Sequence, residues 1–113
     1  MEIHFHSRKL QTICNSKEET IRRWGAVRAK AVRRRLKQLK AARCLSVMNS
    51  IPGQAFRILK GTRKGELAVD AEYPLRLIFV PTQRRNIQAG DGHVDPGKVS
   101  AITVLEITEY NDH

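Results

Sequence analysis

Hydrophobic and polar residues follow two different periods along the chain. From Glu2 to His6 apolar and polar side chains alternate, which predicts a first strand with one buried face. Between residues 17 and 42 the apolar residues recur instead at steps of three and four, as on one side of an amphipathic helix. These residues are Ile21, Trp24, Ala29, Val32, Leu36 and Leu39. The pattern therefore predicts a strand followed by one long helix with an apolar side.

Two serines precede the predicted helices. Ser7 is expected to cap a short helix that ends near Asn15, and Ser16 is expected to cap the long helix. Glu18 and Glu19 follow Ser16 in the first helical turn, where the helix dipole favours negative charge. We therefore expect two N-terminal helices.

Three runs rich in apolar and β-branched residues occupy the middle of the chain and predict three strands. They cover about residues 56–60, 66–71 and 75–80. Gly61 and Gly65 bound the connection between the first two strands, and glycine permits the positive φ that a tight hairpin requires. Arg63 and Lys64 are therefore expected at a turn and not on a long mobile arm.

The third of these runs carries one cation, Arg76, among apolar residues. Alternation along the strand directs Arg76 away from the side that carries Leu75 and Leu77. A charged group in so apolar a strand requires a partner. Two interpretations stay open, namely a structural pair with Asp70 or Glu72 and a cation that binds an external anion.

The last third of the chain contains a loop and a strand. Residues 81–98 are polar and rich in glycine and proline, which predicts a long surface loop. Residues 99–109 predict a strand that is apolar on both faces near its centre and is therefore interior to the sheet. Within it, Ile102, Val104 and Glu106 are expected to share one side. The tail that follows carries side chains capable of proton transfer.

The charge of the chain is concentrated in the predicted long helix. The 113 residues are enough for one domain, and they carry a net charge of +10 with a pI near 10.3. Residues 17–43 contain eleven cations and two carboxylates. Such a field favours nucleic acid, an anionic membrane face or an acidic protein partner. Because the run is rich in arginine, and few carboxylates lie four residues away, phosphate binding is favoured over a merely solvated helix face.

Cysteine, histidine and apolar runs limit the compartment and the chemistry. The chain has no run of about 18 apolar residues and no apolar N-terminal segment, so neither a membrane span nor a secretory signal is expected. We expect a cytoplasmic protein in which Cys14 and Cys44 are free thiols. His4 and His6 do not bring the about four convergent ligands that zinc requires. No metal and no cofactor is expected.

Three motifs resemble those of one toxin family. They are L-K-G-T-R-K-G at 59–65, Y-P-L-R-L-I-F at 73–79 and V-S-A-I-T-V-L-E-I-T-E-Y at 99–110. With these motifs the chain resembles the RelE/ParE toxin superfamily, and within it the HigB-like host-inhibition-of-growth toxins, over almost its full length. The resemblance implies a single α+β domain over residues 1–113. Two N-terminal helices would pack on a small twisted, mainly antiparallel sheet.

The resemblance also implies a function. Such a protein is the toxin of a type II toxin–antitoxin module, enters the ribosomal A site and cleaves mRNA without a metal. A 2′-hydroxyl loses a proton and attacks phosphorus, the phosphorane charge is stabilised, and the leaving 5′-oxygen gains a proton. The expected catalytic residues are Arg57, Arg76, Tyr110 and His113. The expected RNA-binding residues are Lys60, Arg63 and Lys64 near the sheet and Arg33, Arg34 and Lys37 on the basic helix.

Two positions depart from the family pattern. Arg57 and Ile58 stand where many HigB-like toxins have His-Pro before L-K-G, and the tail ends E-Y-N-D-H where those toxins tend to end D-Y-H. The imidazole that would transfer protons is therefore either displaced to His113 or absent.

Two further functions stay open. ParE proteins share the fold and inhibit DNA gyrase without catalysis, and a shared fold does not decide function. An RNA-binding homologue that has lost catalysis is the other alternative. All three imply a cognate antitoxin, expected to be a HigA-like helix-turn-helix protein through which alone the toxin would reach operator DNA. The other expected partners are mRNA and ribosomal RNA, and no membrane is expected to be a partner.

Overall fold

The helices and strands form an α+β arrangement, as expected. The structure is a computed structural model, and it describes residues 1–52, 56–59, 63, 65–83, 85–90 and 93–109. The helices of these ranges are α1 (Arg8–Cys14), α2 (Lys17–Trp24), α3 (Ala26–Ala41) and two short 3-10 segments, Leu45–Ser50 and Pro96–Lys98. The strands are β1 (Glu2–Phe5), β2 (Arg57–Ile58), β3 (Leu67–Asp70), β4 (Leu75–Pro81) and β5 (Ala101–Glu109).

The five strands form one mixed sheet in the order β1-β5-β4-β3-β2. β1 runs parallel to β5, and the other three neighbouring pairs are antiparallel. The mainly antiparallel sheet and the interior position of the last strand are therefore confirmed. The predicted alternation of β1 is also confirmed, since Ile3 and Phe5 are the partly buried residues of that strand.

The prediction of one long helix over residues 17–42 is wrong. Gly25 adopts φ 82° and ψ 165°, a conformation that residues with a side chain rarely adopt, and it separates α2 from α3. The Gly25 N–H closes α2 on the Ile21 carbonyl, and the Gly25 carbonyl accepts the first hydrogen bond of α3 from Ala29. Three α-helices therefore precede the middle strands in the described chain, where two were expected.

The two predicted N-caps are confirmed. Ser7 Oγ accepts a hydrogen bond of 3.0 Å from the Leu10 N–H, and Ser16 Oγ accepts one of 3.1 Å from the Glu19 N–H. Each serine satisfies a backbone donor that the first turn of a helix leaves unpaired. The caps fix where α1 and α2 begin.

One face of the sheet carries the hydrophobic core. Fully buried side chains from three strands meet α3 and the first 3-10 segment there, and Ile87 and Val99 join them. The strand residues of this core are Leu67, Val69, Leu77, Phe79, Ile102 and Val104. Because Ile87 is only 8% exposed, the predicted surface loop over residues 81–98 is in part a core element.

A bulge in β5 corrects the predicted faces of the last strand. Ile78 pairs with Glu106 while Phe79 pairs with Val104, so Leu105 has no opposite residue in this ladder. One extra residue moves every later side chain to the other face. Glu106 therefore lies on the side of Ile78 and not on the side of Val104, contrary to the prediction.

The predicted hairpin before β3 is confirmed in its described part, but its first strand is shorter than expected. β2 pairs with β3 through Arg57 and Ile58, and the Leu59 N–H continues the ladder with a 2.9 Å hydrogen bond to the Glu66 carbonyl. Gly65 has a φ of 92°, which agrees with the expected need for glycine. Gly61 lies outside the described residues.

Candidate functional site

Two of the predicted sheet cations, Arg57 and Arg76, lie on the face opposite to the core. Asp70 pairs with Arg76, and Arg57 pairs with Ala68, which is two residues from Asp70 on the same side of β3. Glu106 is on this side as well, because its partner in β4 is Ile78. We call this surface the charged sheet face. Its charged residues are Arg57, Arg63, Glu66, Asp70, Arg76 and Glu106.

Asp70 is the centre of one group of cations. Arg57 Nη2 lies 3.7 Å from Asp70 Oδ2, and Arg35 Nε donates a 2.7 Å hydrogen bond to the Asp70 carbonyl. The Asp70 side chain is 18% exposed, and its Oδ1 accepts no hydrogen bond from the described residues. Burial raises the pKa of the Asp70 carboxyl above its ordinary value, while Arg57, Arg76 and Arg35 act in the opposite direction. Asp70 is thus a partly desolvated anion among three guanidinium groups.

The register decides which of the two carboxylates suggested for Arg76 is its neighbour. Asp70 is directly opposite Arg76 across the β3–β4 ladder, and the two charges attract. This position agrees with the structural interpretation in which Asp70 is the partner of Arg76. It does not exclude a second role, because an anion held between Arg57 and Arg76 is also the arrangement that a phosphate requires.

Arg63 is held by two carboxylates. Its Nη1 donates a 2.8 Å hydrogen bond to Glu66 Oε1, and its Nη2 donates to Glu106 Oε1. The hydrogen bond to Glu66 is the largest cause of the raised pKa of the Arg63 guanidinium; the bond to Glu106 acts in the same direction, and burial opposes both. The sequence did not suggest Glu106 as a partner, because the bulge at Leu105 turns it onto this face.

The predicted RNA-binding residues of the basic helix divide into two kinds. Arg33 Nη1 donates a 2.9 Å hydrogen bond to Oγ1 of Thr20, which is fully buried, so Arg33 ties α3 to α2. Arg34 and Lys37 are exposed on α3, and with Lys30 they follow the three- and four-residue spacing of one helix side. Of the three predicted residues, only Arg34 and Lys37 are therefore exposed enough to contact a large partner.

Four predicted site residues, Lys60, Lys64, Tyr110 and His113, lie outside the described residues. The chain enters the tail from Glu109, the last residue of β5, which pairs with Leu75 in the sheet. Glu109 Oε1 lies 3.8 Å from Arg28 Nη1. The neighbouring Thr108 is opposite Arg76, so the tail begins next to the charged sheet face.

The thiols and the possible metal ligands give no further site. Both cysteines are free, as predicted. Burial raises the pKa of Cys14 to about 11, and a hydrogen bond with Ser46 lowers the pKa of Cys44. Within the described ranges, no group of three or more His, Cys, Asp or Glu side chains is arranged to hold a metal ion.

Compared with known proteins, the chain matches no family model, no curated protein and no solved structure. The likeness to RelE/ParE toxins therefore stays a prediction from the three sequence motifs. Among the helices of the described ranges, none combines the length with the apolar character that a membrane crossing requires.

Proposed function

We propose that this chain is the toxin of a type II toxin–antitoxin module and cleaves mRNA on the ribosome without a metal ion, in the cytoplasm. The observation that supports the proposal is that Arg57 on β2 and Arg76 on β4 lie on either side of the anionic Asp70 of β3, on the charged sheet face. The pairing of β2 and β4 with β3 fixes the backbone of both arginines before any substrate arrives. Donors fixed in this way stabilise charge that develops on a phosphorane without having to reorganise.

The proposed roles follow the charges of the groups. Arg57 and Arg76 bind the scissile phosphate, which replaces the Asp70 carboxylate as their anionic partner. Lys60, Arg63 and Lys64 bind the flanking RNA. Tyr110 and His113, in the tail that begins beside Arg76, transfer the protons. On α3, Arg34 and Lys37 contact ribosomal RNA. Arg33 holds α3 against α2 through its hydrogen bond to Thr20 and so fixes the position of these two residues. The cognate antitoxin, a helix-turn-helix protein, meets the +10 charge with acidic residues.

Cleavage on translating ribosomes tests the proposal. Arg76→Ala and Arg57→Ala are each expected to lower the rate of mRNA cleavage by roughly 100-fold or more, because each removes a donor to the phosphorane. Arg43→Ala is the matched control, since it removes an exposed arginine that follows α3 and is not part of the charged sheet face. Wild-type cleavage rates in Arg76→Ala would contradict the proposal, as would an equal loss in Arg43→Ala.

A second candidate is non-enzymatic inhibition of DNA gyrase, as in ParE proteins. Arg63 favours it, because two carboxylates already neutralise this cation, and such a compensated surface suits a protein partner better than a phosphate. A supercoiling assay with purified gyrase separates the two functions. Inhibition of supercoiling without mRNA cleavage would replace the first proposal with the second.

A further inference from the structure

A cationic groove lies between α1 and α2, and none of the described sheet cations lines it. Its volume is about 650 Å³, and its cations are Arg8, Lys9, Arg22 and Arg23. Glu19 is the one carboxylate among the groove's described lining residues, and it is bound to Arg22 at 2.7 Å. Arg8, Lys9 and Arg23 form no ion pair with any described residue. We call this feature the helical groove.

The helical groove continues into a smaller cleft that holds an aromatic side chain. The cleft has a volume of about 190 Å³ and shares Lys9, Ile13 and Arg23 with the groove. Trp24 lines it, together with Glu106 and other residues of β5. The cations of the groove thus lead directly to an aromatic ring.

The chain places Trp24 there for two local reasons. Trp24 is the last residue of α2, because Gly25 interrupts the helix immediately after it. β1 ends at Phe5, which pairs with Val104, so no described strand lies beside the next residues of β5 on that side. The cleft lies in this space, beside Leu105, Glu106 and Ile107. Trp24 is partly exposed and does not belong to the main core cluster, so covering the core does not account for its position.

We propose that the helical groove and its cleft bind single-stranded RNA, with Arg8, Lys9 and Arg23 on phosphates and one base stacked on Trp24. Proteins bind single strands by this combination of a cationic groove and an aromatic ring. The cleft is smaller than the sites that enclose drug-sized ligands, and its size suits one planar base. Glu106 supplies an acceptor for a base amino group.

The same Glu106 connects the cleft with the charged sheet face. Its carboxylate is the partner of Arg63, and it also lines the cleft beside Trp24. An RNA single strand bound in the helical groove would therefore continue toward Arg63, Arg57 and Arg76. The identity of the RNA as mRNA rests on the proposed function, whereas binding of a single strand does not.

An acidic protein segment is the competing occupant. Cations alone would accept it equally well, but a narrow cleft with an aromatic ring and a carboxylate acceptor favours a base over an acidic side chain. Polyglutamate, an acidic polypeptide, is therefore used as a separate probe.

Intrinsic fluorescence tests this site directly, because Trp24 is the single tryptophan of the chain. The probe is a 2′-O-methyl hexaribonucleotide, which lacks the attacking hydroxyl and so reports binding without cleavage. We expect saturable quenching of Trp24 fluorescence by the single strand and much weaker quenching by a duplex of the same length. Trp24→Leu is expected to weaken binding roughly tenfold, measured by anisotropy of a labelled strand, while Trp24→Phe retains most of the affinity.

Charge-matched double variants separate the groove from general attraction. Lys9→Ala with Arg23→Ala is expected to weaken binding at least about tenfold, and Lys98→Ala with Arg43→Ala, which also removes one exposed lysine and one exposed arginine, by less than about threefold. Circular dichroism checks that each variant is folded.

Three results would overturn the inference: RNA binding without a change in Trp24 fluorescence, equal losses in the two double variants, or quenching by polyglutamate but not by RNA. These failures are distinct from failure of the proposed function. If the inference alone is wrong, Arg76→Ala still abolishes cleavage on ribosomes, while RNA does not change the fluorescence of Trp24. If the proposed function alone is wrong, Trp24 responds to RNA while no cleavage is seen.

Discussion

The charged sheet face and the helical groove are both rich in cations, but they differ in how many of those cations have a carboxylate partner. On the sheet face Arg57 lies beside Asp70, and Arg63 is bound by both Glu66 and Glu106. In the helical groove, by contrast, Arg8, Lys9 and Arg23 have no carboxylate partner among the described residues. Carboxylates hold a guanidinium in one orientation and reduce its long-range field, whereas unpaired cations keep the field and stay free to move.

Under the two proposals, this difference indicates a division of work between the two surfaces. Oriented and compensated cations suit a site where a single phosphate must be placed accurately. Uncompensated cations suit attraction of a long polyanion, with the strong salt dependence that counterion release produces. Under the two proposals, the charged sheet face would therefore carry the chemistry, and the helical groove would capture the RNA.

The largest effect on stability is expected from Gly25→Ala. Gly25 follows Trp24, so this substitution tests the region of the helical groove. Gly25 has a φ of 82° and a ψ of 165°, and a Cβ there would meet nothing within 4 Å, so the cost is conformational. It should be about 1–3 kcal/mol. Urea unfolding measures it, and Trp24 fluorescence reports whether the cleft changes with it. Gly90→Ala is the control, since its Cβ also has open space and its φ is not in the positive range. Equal stability of the two variants would show that the break at Gly25 is not strained for alanine.

A smaller loss is expected from Arg63→Ala on the charged sheet face. The substitution leaves Glu66 and Glu106 close together without their shared cation, which should cost about 1 kcal/mol or somewhat more in free energy of unfolding. Arg8→Ala removes an arginine without an ion pair in the described chain and should change stability by less than about 0.5 kcal/mol. Urea unfolding of the two variants checks the contrast. If both lose the same free energy, the carboxylates do not distinguish the two regions.

The smallest effect is expected from Asp70→Asn, and it depends on pH. Because the pKa of Asp70 is raised in the folded protein, the folded state binds its proton more tightly than the unfolded state, and ionised Asp70 reduces stability. At pH 7 the variant should be more stable than the wild type by less than about 1 kcal/mol. The difference should shrink as the pH falls through the raised pKa and the wild-type carboxyl becomes neutral.

Unfolding curves at several pH values measure this difference. Glu72→Gln removes an exposed carboxylate and serves as the control. A loss of stability in Asp70→Asn at pH 7 would mean that attraction to the three arginines outweighs the burial of Asp70. The same variant should bind RNA more tightly than the wild type, because it makes the sheet face resemble the uncompensated groove.

Local patterns in the sequence predicted the parts of the fold that depend on neighbouring residues. The serines at 7 and 16 predicted both helix starts, and alternation predicted the faces of β1 and β4. The break at Gly25 escaped prediction, because the apolar residues keep a helical spacing on both sides of it and a single glycine is tolerated in many helices.

The candidate site was predictable in its cations but not in its carboxylates. Arg57, Arg63 and Arg76 stand out in the sequence as charges among apolar strands. The positions of Glu106 and Asp70 depend on the pairing of strands that are distant in sequence, and for Glu106 on a bulge of one residue. Tertiary pairing also decides that Arg33 binds Thr20 and not solvent.

Cleavage of mRNA on translating ribosomes, measured over a range of protein concentrations, tests the division of work most directly. Arg76→Ala should lower the maximal rate by roughly 100-fold or more. The Lys9→Ala and Arg23→Ala double variant should instead raise the concentration needed for half-maximal rate. Lys98→Ala with Arg43→Ala controls for lost charge. A wild-type maximal rate in Arg76→Ala would contradict the assignment of the chemistry to the charged sheet face.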